Sequence, residues 1–286
     1  MATFYYMSMS EPNAANLERD DLAGRTRAEV HEPLEKQLAP LGHRAMLSLS
    51  AGRGERILDV GCGTGQTSVE LGLIVGPGGE VLGIDLSAAV LETATRTAGN
   101  CAQVRFVQGD AQVFPFDFGT YDAAFSRFGV MFFADPVMAF ANIRQALKPA
   151  GRLAFVCWRS LEENDLDIVP LRAAFPYLPP DVPKPGSAPA FSFAKPDRAR
   201  DILAEAGFED IEFTAYDEQV GSGDPESMLE LSLRVGSLGK IVREAPELRA
   251  VVIEPVRKAL AAYDGPEGLR LKAATWIVTA RSSSRS

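Results

Sequence analysis

The chain has 286 residues, 46% of them hydrophobic and 23% charged, with a net charge of −9. That length can bury one sizeable core with a small cap, or at most two domains. The acidic balance argues against a nucleic-acid partner, which needs a basic face, and Lys and Arg show no clustering. The three cysteines, Cys62, Cys101 and Cys157, are odd in number and lack C-x-x-C spacing. They point to reduced thiols in a cytoplasmic setting and to no zinc site. Only His31 and His43 are present to help ligate a transition metal. Met1 to Ser10 has no basic segment followed by an apolar core, so it does not read as a signal peptide. No apolar run approaches the ~18 residues that span a membrane.

Residues 1–50 predict an N-terminal helical cap. Along Arg27–Leu38, Val30, Leu34 and Leu38 recur at i, i+4 and i+8, the stripe of a helix lying on something. His31 on that helix is a candidate general base. A second short helix, Gly42–Leu49, leads towards the first strand. From 51 to about 160, strands and helices alternate, the pattern of a doubly wound parallel sheet. Ile57, Leu58 and Val60 read as a short buried strand that empties into Gly61-Cys62-Gly63-Thr64-Gly65. These glycines let the backbone turn sharply and approach a ligand closely. A helix is expected to begin near Gln66 or Thr67 and run to about Gly72. Strand, glycine turn and helix in that order build a nucleotide-type site.

The spacing narrows the ligand. A G-x-G-x-x-G dinucleotide fingerprint would need glycine at Gln66 or at Ser68, which disfavours a nicotinamide-dependent dehydrogenase. No Lys follows the turn, so it is not a P-loop. Asp59, just before the glycines, would repel a pyrophosphate and favour an ammonium-bearing ligand. Val81–Asp85 reads as the second strand, ending in an acid about 20 residues after the last glycine, where a carboxylate can accept ribose hydroxyls. Val104–Gln108 is the third strand, with Asp110 and Ala111 in its exit loop, and Tyr121–Arg127 is the fourth. Asp59, Asp85 and Asp110 thus stand at successive strand ends.

These residues resemble the class I S-adenosylmethionine-dependent methyltransferases, whose cofactor carries an amino group and a sulfonium. The likeness runs from about Arg53 to Ala280 and is nearest to the ubiquinone/menaquinone-biosynthesis type. It includes the Tyr121-Asp122 pair, Phe128–Pro136, the helix Val137–Leu147 and the Lys148-Pro149-Ala150-Gly151 turn into a fifth strand, Leu153–Trp158. The resemblance implies an α/β fold, a doubly wound, mostly parallel seven-stranded Rossmann-like sheet with its last strand antiparallel. It implies S-adenosyl-L-methionine bound by Asp59, Gly61, Cys62, Gly63, Gly65, Asp85, Leu86, Asp110, Ala111 and Ser126. The acid matching Asp110 would meet the adenine amino group, and the Ala111 backbone the ring edge. Members of this group often carry a tryptophan-rich N-terminal segment; Met1–Glu29 contains no Trp.

Beyond the fifth strand, Phe175–Pro196 is too proline-dense for regular structure and reads as a lid. Asp197–Ala206 predicts a helix, Glu209–Tyr216 a strand, 224–262 a helical insertion kinked at Pro246 and Pro255, and Ala273–Ala280 the last strand before a Ser/Arg tail. Residues 51–286 therefore read as one cofactor-binding domain, with segments 175–196 and 224–262 covering the acceptor side. The acceptor should sit beyond the carboxyl ends of the strands, lined by Arg127 and Phe128 after strand four and by Trp158 and Arg159 after strand five. Arg127, Trp158 and His31 are the candidate catalytic residues. The ordinary readings are a carboxylate-pairing arginine, a packing tryptophan and a satisfied histidine. The expected activity is methyl transfer to an O, N or C atom of a small molecule, with no metal, nucleic acid or membrane involved and a homodimer left open. The competing expectation is a protein of the same fold that does not methylate: a decarboxylase, a hydroxylase, a cyclisation catalyst or a regulatory binder.

Overall fold

The computed structural model describes residues 14–180 and 189–283. The start of the chain, the middle of the proline-dense segment and the last three residues of the tail lie outside them. Strands β1 (Arg56–Val60), β2 (Glu80–Asp85), β3 (Val104–Gln108), β4 (Tyr121–Arg127), β5 (Leu147–Trp158) and β6 (Phe208–Val220) come first along the chain. A two-residue hairpin follows, β7 (Asp264–Gly265) with β8 (Gly268–Leu269), and then β9 (Leu271–Ser282). The main sheet has seven strands in the order β3-β2-β1-β4-β5-β9-β6. Neighbours among β1 to β5 are parallel, and β9 runs antiparallel to both β5 and β6. This is the expected seven-stranded, doubly wound sheet. The strand order reverses beside β1, which places the crevice for a ligand at the carboxyl ends of β1 and β4.

Helices α1 (Ala14–Glu29), α2 (His31–Leu49), α3 (Gln66–Val75), α4 (Ala88–Ala98), α5 (Pro136–Ala146), α6 (Asp165–Ala174) and α7 (Pro196–Glu205) intervene. Helices α8 (Pro225–Arg234), α9 (Gly236–Glu244) and α10 (Leu248–Ala261) lie between β6 and the hairpin. The central strands carry near-continuous apolar runs because both faces of the sheet are covered. Phe125, Phe140 and Phe155 are fully buried there. Apolar burial on this scale is the main stabilising contribution to the domain.

The N-terminal elements differ from the sequence expectation. The chain breaks at Val30 (φ −109°, ψ 23°), and α2 then runs unbroken from His31 to Leu49, through Pro40. Its buried residues are Gln37, Leu41, Gly42, Ala45, Met46 and Leu49, while of the predicted stripe Val30 is buried just before it and Leu38 packs partly buried against the sheet core. Pro33 falls in the first turn, where a missing N–H costs nothing. Four of these residues, Leu41, Ala45, Met46 and Leu49, belong to the core of the sheet. The carboxyl-terminal half of α2 is thus a covering layer of the sheet, and only its first half faces the site.

Strand β5 begins at Leu147, earlier than expected, because Leu147 pairs with Tyr121 before an irregularity around Ala150 (φ 58°). Strand β6 extends to Val220 because β9 offers partners as far as Leu271. Helix α6 has no counterpart in the sequence expectation. Helices α6, α8, α9 and α10 enclose a second apolar core, with Ile168, Leu171, Met228, Leu238, Val252 and Val256 at its centre. Pro246 separates α9 from α10, whereas Pro255 lies inside α10. The insertion is a packed helical unit.

Leu41→Ala tests the placement of α2. A fully buried leucine in the sheet core should cost about 2–5 kcal/mol when truncated. Urea unfolding that shows a loss below about 0.5 kcal/mol, the surface-substitution range, would mean that α2 is not part of that core.

Candidate functional site

The turn after β1 is fixed from below. The amides of Gly61 and Cys62 both donate to Ile84 O of β2, at 2.8 and 3.1 Å. Gly61, at φ +67°, passes so close to Gly129 that a Cβ on it would lie 2.8 Å from the Gly129 Cα. Gly63, at φ +53°, faces open space, and a Cβ there would meet nothing within 4 Å. The two glycines therefore serve different ends. Gly61 allows two backbones to touch, and Gly63 leaves the room a ligand needs. Cys62 is buried, and its thiol is held well above its ordinary range, first by burial and then by the nearby Asp59 and Asp85 charges. It has no role as a thiolate.

Asp59 is fully buried. Thr67 Oγ1 and Ser68 Oγ, in the first turn of α3, donate to its Oδ2 at 2.7 and 2.6 Å. Its Oδ1 has no hydrogen-bond partner among the described residues. Burial pushes the carboxyl up to about 6, against the smaller opposing effects of Ser68, Thr67 and Arg127. Asp59 thus staples α3 to β1 and leaves one acceptor oxygen spare.

Asp85 ends β2 and orders the neighbouring loops. Gly63 N donates to its Oδ2 at 3.0 Å, and Ser87 N to its Oδ1 at 3.0 Å. Each carboxylate oxygen keeps a further lone pair. Leu86 beside it is exposed, an apolar surface at the edge of the site. Asp110 accepts from Gln112 N at 2.9 Å, and Gln112 Nε2 reaches both its oxygens at 3.1 and 2.9 Å. Ala111 is buried, and its carbonyl accepts from Asn142 Nδ2 at 2.9 Å. Gln112 itself was not anticipated from the sequence.

Ser126 is buried at the end of β4. Its Oγ donates to Val60 O at 2.7 Å and accepts from Gly129 N at 3.2 Å, tying the ends of β1 and β4 together. Arg127 Nη2 is bonded at 2.7 Å to Glu35 Oε1 of α2, and Thr64 Oγ1 of the glycine turn donates to the same oxygen at 3.2 Å. Glu35 Oε2 is buried with no partner among the described residues. Phe128, at φ +59°, stacks on Trp158 with ring centroids 4.1 Å apart and planes 16° from parallel. Trp158 also packs against both apolar cores. His31 opens α2 with Nδ1 2.9 Å from Ala28 O. Helix α1 reaches from β2 to β4: Gly24 lies against Ser87, and the Arg27 guanidinium stands 5.5 Å from the Phe132 ring centre.

The structure therefore gathers Asp59, Gly61, Cys62, Gly63, Gly65, Asp85, Leu86, Ser126 and Arg127 at the carboxyl edge of the sheet, with Asp110 and Ala111 on its β3 side. It adds Glu35, which sequence reasoning missed. A glutamate on a mostly polar helical segment carries no local mark of a contact with Arg127, 92 residues further on. Among the described residues there is no cluster of His, Cys, Asp or Glu fit to hold a metal. None of their helices is long and apolar enough to cross a membrane.

Residues 57–151 match the family described as a methyltransferase domain. A demethylmenaquinone methyltransferase of Staphylococcus carnosus is 37% identical over 108 residues, 38% of this chain and 45% of that protein. The chain therefore spans less than half the length of the curated relatives it matches. Haemonchus contortus phosphoethanolamine N-methyltransferase 2, solved with S-adenosylhomocysteine, superposes with a TM-score of 0.53 at 17% identity, covering 85% of this chain and 52% of that one. The cyclase SpnF superposes at 0.51 and 20% identity, covering 85% and 81%. Residues 57–151 thus match a methyltransferase domain, and the seven-stranded sheet has the fold of these solved proteins.

Asp59 offers a direct electrostatic measurement. Its carboxyl holds a proton up to about 6 when folded, against 3.8 for the unperturbed group. The folded state therefore binds more protons between those values, and stability falls as pH rises through that window. The loss is on the order of 3 kcal/mol above the folded value. Asp59→Asn, neutral throughout, should lack this dependence. Denaturant unfolding at pH 4 and pH 7 should show the variant gaining on the native chain as pH rises. Parallel profiles would mean that the buried carboxyl is not perturbed.

Proposed function

We propose that this chain is an S-adenosylmethionine-dependent methyltransferase acting on an O, N or C atom of a small, flat, uncharged acceptor. The observation that carries this reading is the crevice itself. Asp85 is already bonded to Gly63 N, the turn at Gly63 is open, and two buried carboxylate oxygens, on Asp59 and Glu35, lack donors among the described residues. That acceptor set fits a nucleoside bearing a cationic group and is ill suited to a polyphosphate. The free lone pairs of Asp85 would take ribose hydroxyls, Leu86 would offer a face to the base, and Asp110 with the Ala111 backbone would meet the adenine edge.

When bound, S-adenosylmethionine supplies a methyl group activated by its sulfonium, which an acceptor displaces in line. The residues of the chain then have to position and to exclude water, and correct orientation alone can supply much of the rate. The stack of Phe128 on Trp158 provides an aromatic wall on the acceptor side. Arg127 is neutralised by Glu35, so that wall carries no unpaired cation. Demethylmenaquinone-like quinols are accordingly the first acceptors to assay, since the relatives are named for that reaction and the wall suits a flat ring. We retain His31, Arg127 and Trp158 as acceptor-side candidates, with segments 175–196 and 224–262 as the cover and the cytoplasm as the setting.

A second reading has one observation in its favour. The cyclase SpnF shares the fold, and fold does not fix reaction. Formation of S-adenosylhomocysteine with an acceptor separates the two. Product formation establishes methyl transfer; tight binding with no turnover over a panel of phenols, quinols, amines and thiols favours the second reading.

Titration calorimetry should show S-adenosylhomocysteine binding in the low micromolar range or tighter. Asp85→Ala should weaken it by about 1–3 kcal/mol, the magnitude of lost charge-assisted hydrogen bonds, with circular dichroism unchanged. Gly63→Val should be worse, because it adds bulk in the open crevice at a backbone conformation that valine resists. Normal binding by Asp85→Ala would remove that residue from the site.

A further inference from the structure

Glu35 has features that an ordinary ion pair does not explain. It sits on α2, where a glutamate usually points to water, yet its carboxylate is drawn between the glycine turn and the end of β4. One oxygen accepts from both Thr64 and Arg127, at 3.2 and 2.7 Å. The other is buried and has no donor among the described residues. Arg127 is itself nine-tenths buried, so the pair is shielded from water. A buried acceptor left without a donor is costly, and Arg127, held at one oxygen, does not relieve it.

Asp59 repeats the pattern from the strand side of the same turn: one oxygen held by Thr67 and Ser68, the other without a partner. The Asp59 carboxylate is sealed, with no exposed surface, whereas that of Glu35 keeps 19% of its side chain exposed. Two carboxylates with spare buried oxygens therefore flank Gly61–Gly65, and the one on α2 belongs to the side chain that keeps part of its surface exposed. The group that satisfies such an oxygen is a compact cation rich in donors and without acceptors, which is the description of an ammonium.

We propose that Glu35 is the receptor for the α-ammonium of the cofactor's amino-acid portion, with Arg127 and Thr64 holding its carboxylate in place. The inference rests on the cofactor reading above and assigns to α2 a part in ligand recognition that none of the motifs in the sheet supplies. Asp59 contributes its charge from beneath. Because α2 is also anchored in the sheet core, the receptor is preorganised and loses little on binding.

The test compares two ligands that differ by that amino-acid portion. S-adenosylhomocysteine carries it; 5′-methylthioadenosine has the same thioadenosine and lacks it. Glu35→Gln keeps the shape and removes the charge. Calorimetry should show S-adenosylhomocysteine binding weakened about tenfold or more, the loss of one charge-assisted contact, with 5′-methylthioadenosine unchanged. The unchanged ligand also reports that the site has kept its fold. If the variant weakens both ligands equally, or neither, Glu35 is a structural partner of Arg127 and the assignment is overturned. If the native chain binds neither ligand, the cofactor reading itself has failed, and this assignment fails with it.

Discussion

The carboxyl edge of this sheet depends on two backbones passing within the width of a missing side chain. Gly61, leaving β1, and Gly129, shortly after β4, are so close that a Cβ on either would strike the other's backbone. Ser126 fastens the contact by bonding to Val60 O on one side and Gly129 N on the other. For the chain to turn that tightly, Phe128 adopts φ +59°, a region that costs a non-glycine residue on the order of 1–3 kcal/mol. Its surroundings over-determine it: its amide donates to Val156 O at 3.1 Å, and its ring stacks on Trp158. The aromatic wall is thus a consequence of the close approach, and so is the direction in which the glycine turn opens.

The centre of the sheet was legible from sequence because β1, β2 and β4 are short, largely apolar runs with a polar residue or a glycine turn at the end. Ile57–Val60, Val81–Asp85 and Tyr121–Arg127 are buried on both faces, and their ends fall where an acid or a glycine must serve the loop. The unread features are tertiary. The interruption at Val30 has no glycine or proline to announce it, and Pro40, which looks like a breaker, is carried inside α2. Helix α6 has its local signal in the capping box of Ser160 and Glu163 one turn ahead of it, but Pro170 inside it and the prolines that follow break the helical pattern. Glu35 could not be found at all, since its meaning lies in Thr64 and Arg127, 29 and 92 residues away.

The acids at this edge of the sheet each hold a neighbouring loop or helix in place. Asp59 ties down α3, Asp85 organises Gly63 and Ser87, and Asp110 is held by Gln112. This preforms the crevice, so binding need not order the glycine turn, and that lowers its entropic cost. It also fixes the price of mutation: removing such an acid loosens a loop as well as a contact. Glu35 differs in that it reaches the glycine turn from α2, outside the sheet and its loops.

On the proposed function, the helical unit of α6 and α8–α10 would bear on selectivity through its own core. Its apolar cluster is distinct from that of the sheet, and of the site residues it is Trp158 that packs against both. Gln37 of α2 adds a polar link, donating to Ser222 Oγ at 3.1 Å beside α8. Substitutions inside the unit can therefore reshape the acceptor wall while β1, β2 and their glycine turn stay as they are. Trp158 is where such a change would be felt first, because it shares its ring face with Phe128 and hence with the strained turn after β4. With two separate cores, the glycine turn can stay constant while the surface beyond Trp158 changes.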